Sequence, residues 1–396
     1  MVTQSNHPDD PQEAHFHDAK PFAVQAQGHD FQFIPAGKDR LDALTELIGS
    51  ARKTIAMCFY IFAEDDAGMR VRDALVDAAK RGVDVHLIID GFGAEASGKF
   101  FERLVAVGGR YDVFSAKWGL RYLIRNHQKM VIVDRDKAMI GGFNVEQSYF
   151  DPPESNGWHD LGLIVSGEAV DLLGKWFGEL EDWAARPNAQ LRAIRSKVRT
   201  WDGGQGPVRL LIGGPTERLS SWASCVGRDL ARGKRLDMVM AYFSPSTRLT
   251  RRIGELASRG NARLIMAGKS DNAATLGATR SLYHYLLKHG AEIYEFAPCK
   301  LHMKLIVIDD AVYVGSANFD MRSLFINLEL MLRIEDQGLA DKMRDFISQH
   351  VEASDEITPA SHRKNATLWN RIRWNLSWFL VGVLDYTVSR RLNLGL

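Results

Sequence analysis

Two short stretches of this 396-residue chain carry the same set of chemically active residues. Both have the form HxKxxxxD. The fixed residues are His127, Lys129 and Asp134 in the first copy and His302, Lys304 and Asp309 in the second. Because alternate residues of a strand point to one face, each histidine and its lysine project toward the same pocket. Two copies in equivalent places therefore predict one shared site.

An amide residue follows each copy, Asn144 in GGFN and Asn318 in GSAN. A phosphodiester reaction needs a nucleophile, an acid for the leaving oxygen and positive charge around the non-bridging oxygens. Two imidazoles, two lysines and two amides supply all three, so we predict neither a metal nor a cofactor. The imidazoles must hold opposite protonation states, which suits histidine because its ordinary pKa is about 6.5.

Each imidazole also needs a carboxylate on its other ring nitrogen to hold it in position. Asp160 in WHDLGLIV and Glu329 in NLELMLRIE stand at matching places downstream of the two motifs, each at the head of a strand-like run. We predict that these two carboxylates orient the histidines. The alternative is that either of them is an ordinary surface charge.

The apolar pattern places both motifs in the same succession of elements. Strands and helices alternate twice along the chain, which is typical of α/β folds. The first pass has strands at 53–63, 83–90, 111–114 and 129–133 and helices at 67–82 and 97–107, and the second has strands at 209–212, 236–243, 262–267, 293–296 and 305–308 and helices at 217–232, 248–260 and 275–289. We therefore predict a duplicated α/β domain, with two mixed β-sheets flanked by helices and related by pseudo-twofold symmetry.

The predicted boundaries divide the chain into four parts. They are a disordered tail at 1–30, an N-terminal half at 31–200, a C-terminal half at 208–355 and a C-terminal segment at 365–396. The Gly-rich stretch 201–207 is the predicted joint. The tail contains four histidines, and we interpret it as solvated, a metal-binding tract being the alternative.

The paired motifs resemble the HKD motifs of the phospholipase D superfamily over about residues 53–329. The continuation of the second motif, GSANFDMRSLFINLE, is similar to the corresponding run of bacterial cardiolipin synthases. The resemblance implies a duplicated phospholipase D-like fold and transfer of a phosphatidyl group between phospholipids through a phosphohistidine. Phosphatidylglycerol is the expected donor and acceptor.

The resemblance also implies a role for each motif residue. His127 would be the nucleophile and His302 its acid–base partner, although the sequence itself does not decide which histidine attacks. The phosphate would be held by Lys129, Lys304, Asn144 and Asn318. Asp160 and Glu329 would each support the histidine of the opposite half, and Asp134 and Asp309 would brace loops rather than touch substrate.

Cardiolipin synthases often carry two N-terminal transmembrane helices, and this sequence shows none. Its longest apolar run, 376–384, is far shorter than the ~20 residues that span a bilayer. The segment 369–394 mixes tryptophans with arginines, which is typical of a helix lying at the headgroups of an anionic leaflet. We therefore predict peripheral contact at the cytoplasmic face of a bacterial membrane. The alternative is a terminal helix docked on the protein or on a second subunit.

A second basic and aromatic stretch, 117–125, leads directly into His127. It is either a lipid-grasping lip at the mouth of the site or an irregular loop.

Charge and cysteine content help to choose among the remaining functional classes. With 50 basic and 49 acidic residues the net charge is +1, which argues against a nucleic-acid partner and hence against a nuclease. Three cysteines at unrelated spacings, Cys58, Cys225 and Cys299, indicate a reducing compartment. Hydrolysis of a phospholipid by water stays open as the nearest rival. A scaffold that lost its chemistry is disfavoured, because both motifs are intact.

Overall fold

The fold follows from a computed structural model that describes residues 16–93, 96–115, 124–186, 191–216 and 219–384. The strands of its first half are β1 (Phe22–Ala26), β2 (His29–Ile34), β3 (Thr54–Phe59), β4 (Asp84–Asp90), β5 (Arg110–Phe114), β6 (Met130–Val133), β7 (Lys137–Gly141), β8 (Trp158–His159) and β9 (Gly162–Ser166). The helices of this half are α1 (Gly37–Ser50), α2 (Asp66–Lys80), α3 (Glu102–Ala106), α4 (Ala169–Ala184) and α5 (Leu191–Thr200).

The second half repeats this series and then extends it. Its strands are β10 (Val208–Gly213), β11 (Arg235–Met240), β12 (Phe243–Ser244), β13 (Asn261–Ala267), β14 (Glu292–Phe296), β15 (Lys300–Leu301), β16 (Lys304–Ile308), β17 (Ala311–Gly315), β18 (Phe319–Asp320), β19 (Glu329–Glu335) and β20 (Ser354–Glu356). Its helices are α6 (Ser221–Arg232), α7 (Thr247–Arg259), α8 (Ala273–Lys288), α9 (Met321–Phe325), α10 (Gln337–Glu352), α11 (Pro359–Asn365) and α12 (Leu368–Trp378).

Two eight-stranded sheets have matching strand orders. The first runs β1-β2-β9-β7-β6-β3-β4-β5 and the second β10-β19-β17-β16-β11-β13-β14-β20. From β2 and from β10 onward, seven strands correspond in order. Their directions also agree, because β3-β4-β5 and β11-β13-β14 pair in parallel and the other neighbours pair antiparallel. The predicted duplicated, pseudo-twofold α/β fold is confirmed.

The two sheets share one central core. It joins side chains from β6 and β7 and helix α4 of the first half to side chains from β16, β17 and β19 and helix α10 of the second. Separate apolar layers cover the outer faces, with α1 and α2 on the first sheet and α6, α7 and α8 on the second. Because the motif strands β6 and β16 are anchored in one core, the two motifs are fixed relative to each other.

The N-terminal boundary predicted from the sequence is wrong. Residues 22–30 belong to the first sheet and not to a disordered tail, since β1 and β2 form a hairpin with Phe22 opposite Phe33. Gln27 and Gly28 make the two-residue turn with positive φ of 51° and 75°, the geometry of hairpins that match the sheet twist. Residues 1–15 lie outside the described part of the chain.

The other boundaries agree more closely with the structure. Helix α5 ends at Thr200 and β10 begins at Val208, on either side of the predicted joint. In the C-terminal segment α12 continues into a π-helical stretch, Phe379–Leu384, and residues 385–396 lie outside the described range. Most of the basic stretch at 117–125 also lies outside it. No helix in the described part of the chain has the length and apolarity needed to cross a bilayer.

The two motif aspartates brace turns at the ends of β6 and β16 that are opposite to the motif lysines. Both adopt left-handed backbone, with φ of 53° at Asp134 and 47° at Asp309. The carboxylate of Asp134 accepts the backbone N–H groups of Lys53 and Thr54 at 2.7 and 2.8 Å, and that of Asp309 accepts the N–H of Arg235 at 2.9 Å. Both carboxylates therefore hold backbone N–H groups near these turns, which is the bracing role that the family resemblance implies.

We expect Asp134→Ala and Asp309→Ala each to lower the free energy of unfolding by about 1–3 kcal/mol. Alanine removes the acceptor of three backbone donors at Asp134 and of two at Asp309, and it tolerates left-handed backbone poorly. Chemical denaturation would measure the loss, with Asp136→Ala, an exposed residue of the same turn as Asp134, as the control. Turnover of the folded protein should stay within about twofold of wild type, and a loss of turnover without loss of stability would contradict the bracing role.

Candidate active site

The two motif histidines meet at the boundary between the halves. His127 stands just before β6, and its backbone N–H donates to the carbonyl of Leu328 at 2.9 Å. His302 stands just before β16, and its N–H donates to the carbonyl of His159 at 2.8 Å. Each histidine is thus held at its backbone by the opposite half.

The predicted carboxylates also reach across the boundary between the two halves. Nδ1 of His127 lies 2.9 Å from Oε1 of Glu329, and Nδ1 of His302 lies 2.6 Å from Oδ2 of Asp160. Both carboxylate side chains are buried, so neither is a surface charge. Since Nδ1 is engaged in both cases, Nε2 is the ring nitrogen left for chemistry.

Each motif lysine contacts the backbone carbonyl of the histidine in its own motif. Nζ of Lys129 donates to the carbonyl of His127 at 2.7 Å, and Nζ of Lys304 contacts the carbonyl of His302 in the same way. Nζ of Lys304 also lies 2.8 Å from Nδ1 of His302. A protonated Nδ1 that donates to Asp160 cannot accept a second hydrogen, so the carbonyl is the lasting partner of this ammonium group.

Gly142 leaves the space that Lys304 of the second half needs beside Asp160 of the first. A Cβ atom there would lie 2.7 Å from a carboxylate oxygen of Asp160 and 2.8 Å from Cδ of Lys304. Any larger residue would push Lys304 or Asp160 away from His302. The second half has Ser316 at this position, and its hydroxyl donates to Oε2 of Glu329 at 2.5 Å.

Both predicted asparagines are buried beside the motifs. Oδ1 of Asn144 accepts the backbone N–H of Ile61 at 3.1 Å, and its side chain also hydrogen-bonds the hydroxyl of Tyr149. Oδ1 of Asn318 is buried and has no hydrogen-bond partner among the described residues. The structure thus brings together all eight residues predicted to act on the phosphate or orient an imidazole.

A cavity of about 360 Å³ opens beside His127. Its lining is polar near the motif residues and apolar where the C-terminal segment covers it. The lining residues that matter most are Arg125, His127, Tyr242, Asn318, Asp320, Leu380 and Val381. A pocket of this composition can hold a charged headgroup while an acyl chain leaves along the apolar side.

Burial and like charges depress the pKa values of the basic groups. Burial, together with the charges of Lys129 and Lys304, holds the pKa of His127 well below its usual range. Burial and Lys304 lower the pKa of His302 to about 3. Burial also lowers the pKa of Lys129 to about 7 and that of Lys304 to about 8. Both imidazoles are therefore neutral in the empty site, and a bound anion would favour charged lysines.

The two carboxylates differ in charge. Burial raises the pKa of Glu329 to about 8, because Lys129 and Ser316 only partly offset the desolvation of its carboxylate. Burial alone would raise the pKa of Asp160 as well, but the charge of Lys304 and the hydrogen bond from His302 lower it. The first pair is therefore neutral and the second carries an ionised carboxylate. The two halves of the site are chemically unequal although their folds match.

Several residues that support the site were missed in the sequence. Arg40 of α1 is buried and donates to the carbonyl oxygens of Asp160 and Tyr149 at 2.6 and 2.7 Å. The rings of Tyr149 and Trp158 lie edge-on to the His302 ring, at 5.0 and 5.3 Å between centroids. An arginine on the apolar face of α1 was a usable signal for Arg40, but nothing local marked the two aromatic residues.

Comparison with known proteins agrees with this geometry. The family described as cardiolipin synthase, PLD-like domain, matches residues 44–181 and 229–351. Major cardiolipin synthase ClsA of Bacillus subtilis is 30% identical over 374 residues, which cover 91% of this chain and 77% of that protein. Cardiolipin synthase 1 of Staphylococcus aureus is 28% identical over 340 residues, covering 82% and 68%.

The fold is shared more widely. The crystal structure of phosphatidylserine synthase from Haemophilus influenzae superposes with a TM-score of 0.74 at 15% identity, covering 96% of this chain and 98% of that one. Polyphosphate kinase from Porphyromonas gingivalis reaches a TM-score of 0.55 at 14% identity, over 85% of this chain and 55% of that one. These likenesses concern the fold, and the family match concerns the sequence. The chain therefore belongs to the cardiolipin synthase family of phospholipase D-like phosphatidyltransferases.

Proposed function

We propose that this protein transfers a phosphatidyl group from one phosphatidylglycerol to the terminal hydroxyl of another, which forms cardiolipin and releases glycerol. The observation that carries the proposal is the pair of imidazole–carboxylate contacts, each made across the two halves beside two lysines. This arrangement supplies a nucleophile, a proton carrier and positive charge around one phosphate.

In the first step, Nε2 of His127 attacks the donor phosphorus. A nitrogen–phosphorus bond forms as the bond from phosphorus to the glycerol oxygen breaks, and His302 gives its proton to that oxygen. Lys129 and Lys304 stabilise the negative charge on the non-bridging oxygens, as do the amide donors of Asn144 and Asn318. Glycerol leaves, and the phosphatidyl group stays on His127.

In the second step, neutral His302 takes the proton of the acceptor hydroxyl. The acceptor oxygen attacks phosphorus, the nitrogen–phosphorus bond breaks, and His127 is regenerated with its electron pair. The proton given up in the first step has then returned to His302. The cycle consumes no cofactor, because one phosphodiester bond replaces another.

The unequal carboxylates support this assignment of roles. A nucleophile must be neutral, and His127 lies beside a carboxyl whose pKa is raised by burial. An acid needs a partner that stabilises the imidazolium, and His302 lies beside the ionised Asp160. The negative phosphate of the substrate opposes the effect of Lys304 and raises the pKa of His302 from its low value in the empty site.

We expect wild-type protein to convert phosphatidylglycerol in vesicles to cardiolipin, while His127→Ala and His302→Ala each lower the rate by roughly a thousandfold. Removal of the nucleophile or of the proton carrier blocks a bond-making step. Mass spectrometry of the lipid products measures both. His284→Ala, which changes an exposed histidine of α8, is the control and should keep wild-type turnover.

The products decide between transfer and its rivals. Phosphatidic acid without cardiolipin would show that water is the acceptor and would replace the synthase by a hydrolase. Cardiolipin formed equally by both alanine variants would refute the role of the two histidines.

We also expect kcat/KM to fall as the pH rises above about 7–8. The pKa values of Lys129 and Lys304 are lowered to about 7 and 8, so the charged forms that bind phosphate are present below that range and are lost above it. Lys129→Arg keeps its charge and should move the alkaline limb upward. Mixed micelles with a non-ionic detergent avoid surface-charge effects on local pH.

Lys137→Arg is the matched control for this measurement, because Lys137 is exposed on the neighbouring strand β7. Its profile should coincide with that of wild type. An alkaline limb that stays in place in Lys129→Arg would assign the titration to another group.

We further propose that the protein attaches peripherally to the cytoplasmic face of a bacterial membrane through its C-terminal segment. Helix α12 docks on α8 by Trp374 and Ser377, which are buried. Its other face leaves a row of large apolar side chains 41–79% exposed, which we call the apolar stripe: Leu368, Trp369, Ile372, Leu376, Phe379, Leu380 and Leu384. The docked face corresponds to the interpretation of a terminal helix packed on the protein, and the exposed face is the one that we propose contacts the membrane.

Two features indicate a lipid surface as the occupant of the apolar stripe. Arg371 and Arg373 are exposed on the same helix, which suits anionic headgroups. Leu380 and Val381 also line the cavity beside His127, so the stripe runs directly to the site. A phospholipid can then reach the cavity from the membrane without its acyl chains entering water.

We expect Trp369→Ser combined with Ile372→Ser to weaken binding to phosphatidylglycerol-containing vesicles roughly tenfold or more, since each side chain buries a large apolar surface. Vesicle sedimentation measures the binding. Val105→Ser, which changes another exposed apolar residue, should bind as wild type does. Unchanged vesicle binding would refute membrane contact, and a dimer that dissociates in the variant would assign the stripe to a second copy.

A further inference from the structure

A buried cluster of three titratable side chains lies behind His302. Nε2 of His159 is 2.7 Å from Nε2 of His350, and Nδ1 of His159 is 2.7 Å from Oδ1 of Asp18. Nδ1 of His350 is 3.0 Å from the carbonyl oxygen of Phe346 in α10. The two imidazoles are almost fully buried, and Asp18 is 12% exposed. The cluster joins the N-terminal segment, the first half and the second half.

A metal ion does not explain this cluster. Nitrogens that lie about 2.0 Å from a tetrahedral zinc ion are roughly 3.3 Å apart, which is longer than the 2.7 Å between the two Nε2 atoms. Within the described residues, no group of three potential ligands has the geometry of a metal site. The contacts between the side chains must therefore be bridged by protons.

The pseudo-twofold symmetry provides an internal comparison for His159. Its counterpart is Leu328, since the carbonyl of each residue accepts the N–H of a motif histidine and each precedes an orienting carboxylate. Leucine therefore suffices for the backbone contact. The imidazole at position 159 has another role.

Two of the contacts fix proton positions in the cluster. The contact with the Phe346 carbonyl needs a proton on Nδ1 of His350, and the contact between the two Nε2 atoms needs one proton between the rings. The carboxylate of Asp18 lies against the other nitrogen of the His159 ring, so both sides of that ring are held.

An aromatic side chain covers one side of the cluster. Phe16 packs edge-on against His159 at 5.2 Å and against Phe296 at 4.9 Å, which closes the cluster on the N-terminal side. The charge of Arg40 acts on Asp18, and the charges of Lys269 and Glu154 act on the neighbouring Cys299. The nearby thiol of Cys299 is neutral, because burial raises its pKa to about 12.

We propose that Asp18, His159 and His350 are positioning residues for the Asp160–His302 pair. The contacts of His159 with Asp18 and with His350 fix β8. This strand is followed directly by Asp160, and its His159 carbonyl holds the backbone of His302. The N-terminal segment thereby helps to hold β8 in position beside His302. The kinetic part of this inference rests on the proposed function.

We expect Asp18→Asn and His350→Leu each to lower kcat about tenfold with KM changed less than twofold, because misplacement of an orienting carboxylate affects the chemical step. The alkaline limb of the kcat profile, which reports the proton that His302 must hold as the acid, should shift in both variants. Nitrogen-15 NMR of the histidine rings should show a proton shared between Nε2 of His159 and Nε2 of His350 in wild type, lost in His350→Leu.

His86→Leu is the matched control, because His86 is equally buried between two carboxylates but contacts no part of the site. It should lose stability and keep wild-type kcat and pH profile. Variants of the cluster that lose only stability would overturn the positioning role, and the absence of a shared proton between the two Nε2 atoms would overturn the contact that the cluster is built on. Wild-type protein that makes no cardiolipin would instead overturn the proposed function, while the NMR measurement would still test the cluster.

Discussion

The candidate site depends on one constraint, which is that each motif imidazole is completed by the opposite half of the chain. Glu329 and Asp160 are buried, and each contacts the Nδ1 atom of a histidine that its own half does not supply. Neither half alone has an oriented imidazole. The shared central core therefore determines the geometry of the candidate site, because it sets the distance across which these contacts form.

Burying so many ionisable groups costs free energy, and several of the groups lower that cost by shifting toward their neutral forms. Charges taken out of water are expensive, and groups that cannot be paired well shift their pKa values instead. Here Glu329 and Lys129 shift toward neutrality, while Asp160 keeps its charge beside Lys304 and His302. An incoming phosphate supplies the counter-charge that the lysines lack.

The sequence predicted what depends on short patterns. The repeated motif predicted the duplicated fold and six residues that the structure brings to the candidate site, since spacing on a strand determines the direction of a side chain. The crossing of the carboxylates came only with the family resemblance, because no local pattern shows which half a side chain faces. Arg40 and the cluster at His159 were missed for the same reason, as their partners are more than a hundred residues away. The hairpin at β1 was missed because a short edge strand has a weak pattern.

The difference between Gly142 and Ser316 has a consequence for the history of the fold. In a symmetric dimer of identical chains, any substitution appears on both sides, so the two sites must stay alike. A fused duplication is free of that restriction, and here one copy has a serine that holds a glutamate while the other has a glycine beside an aspartate. Fusion thus permits the division of labour between two once-equal histidines.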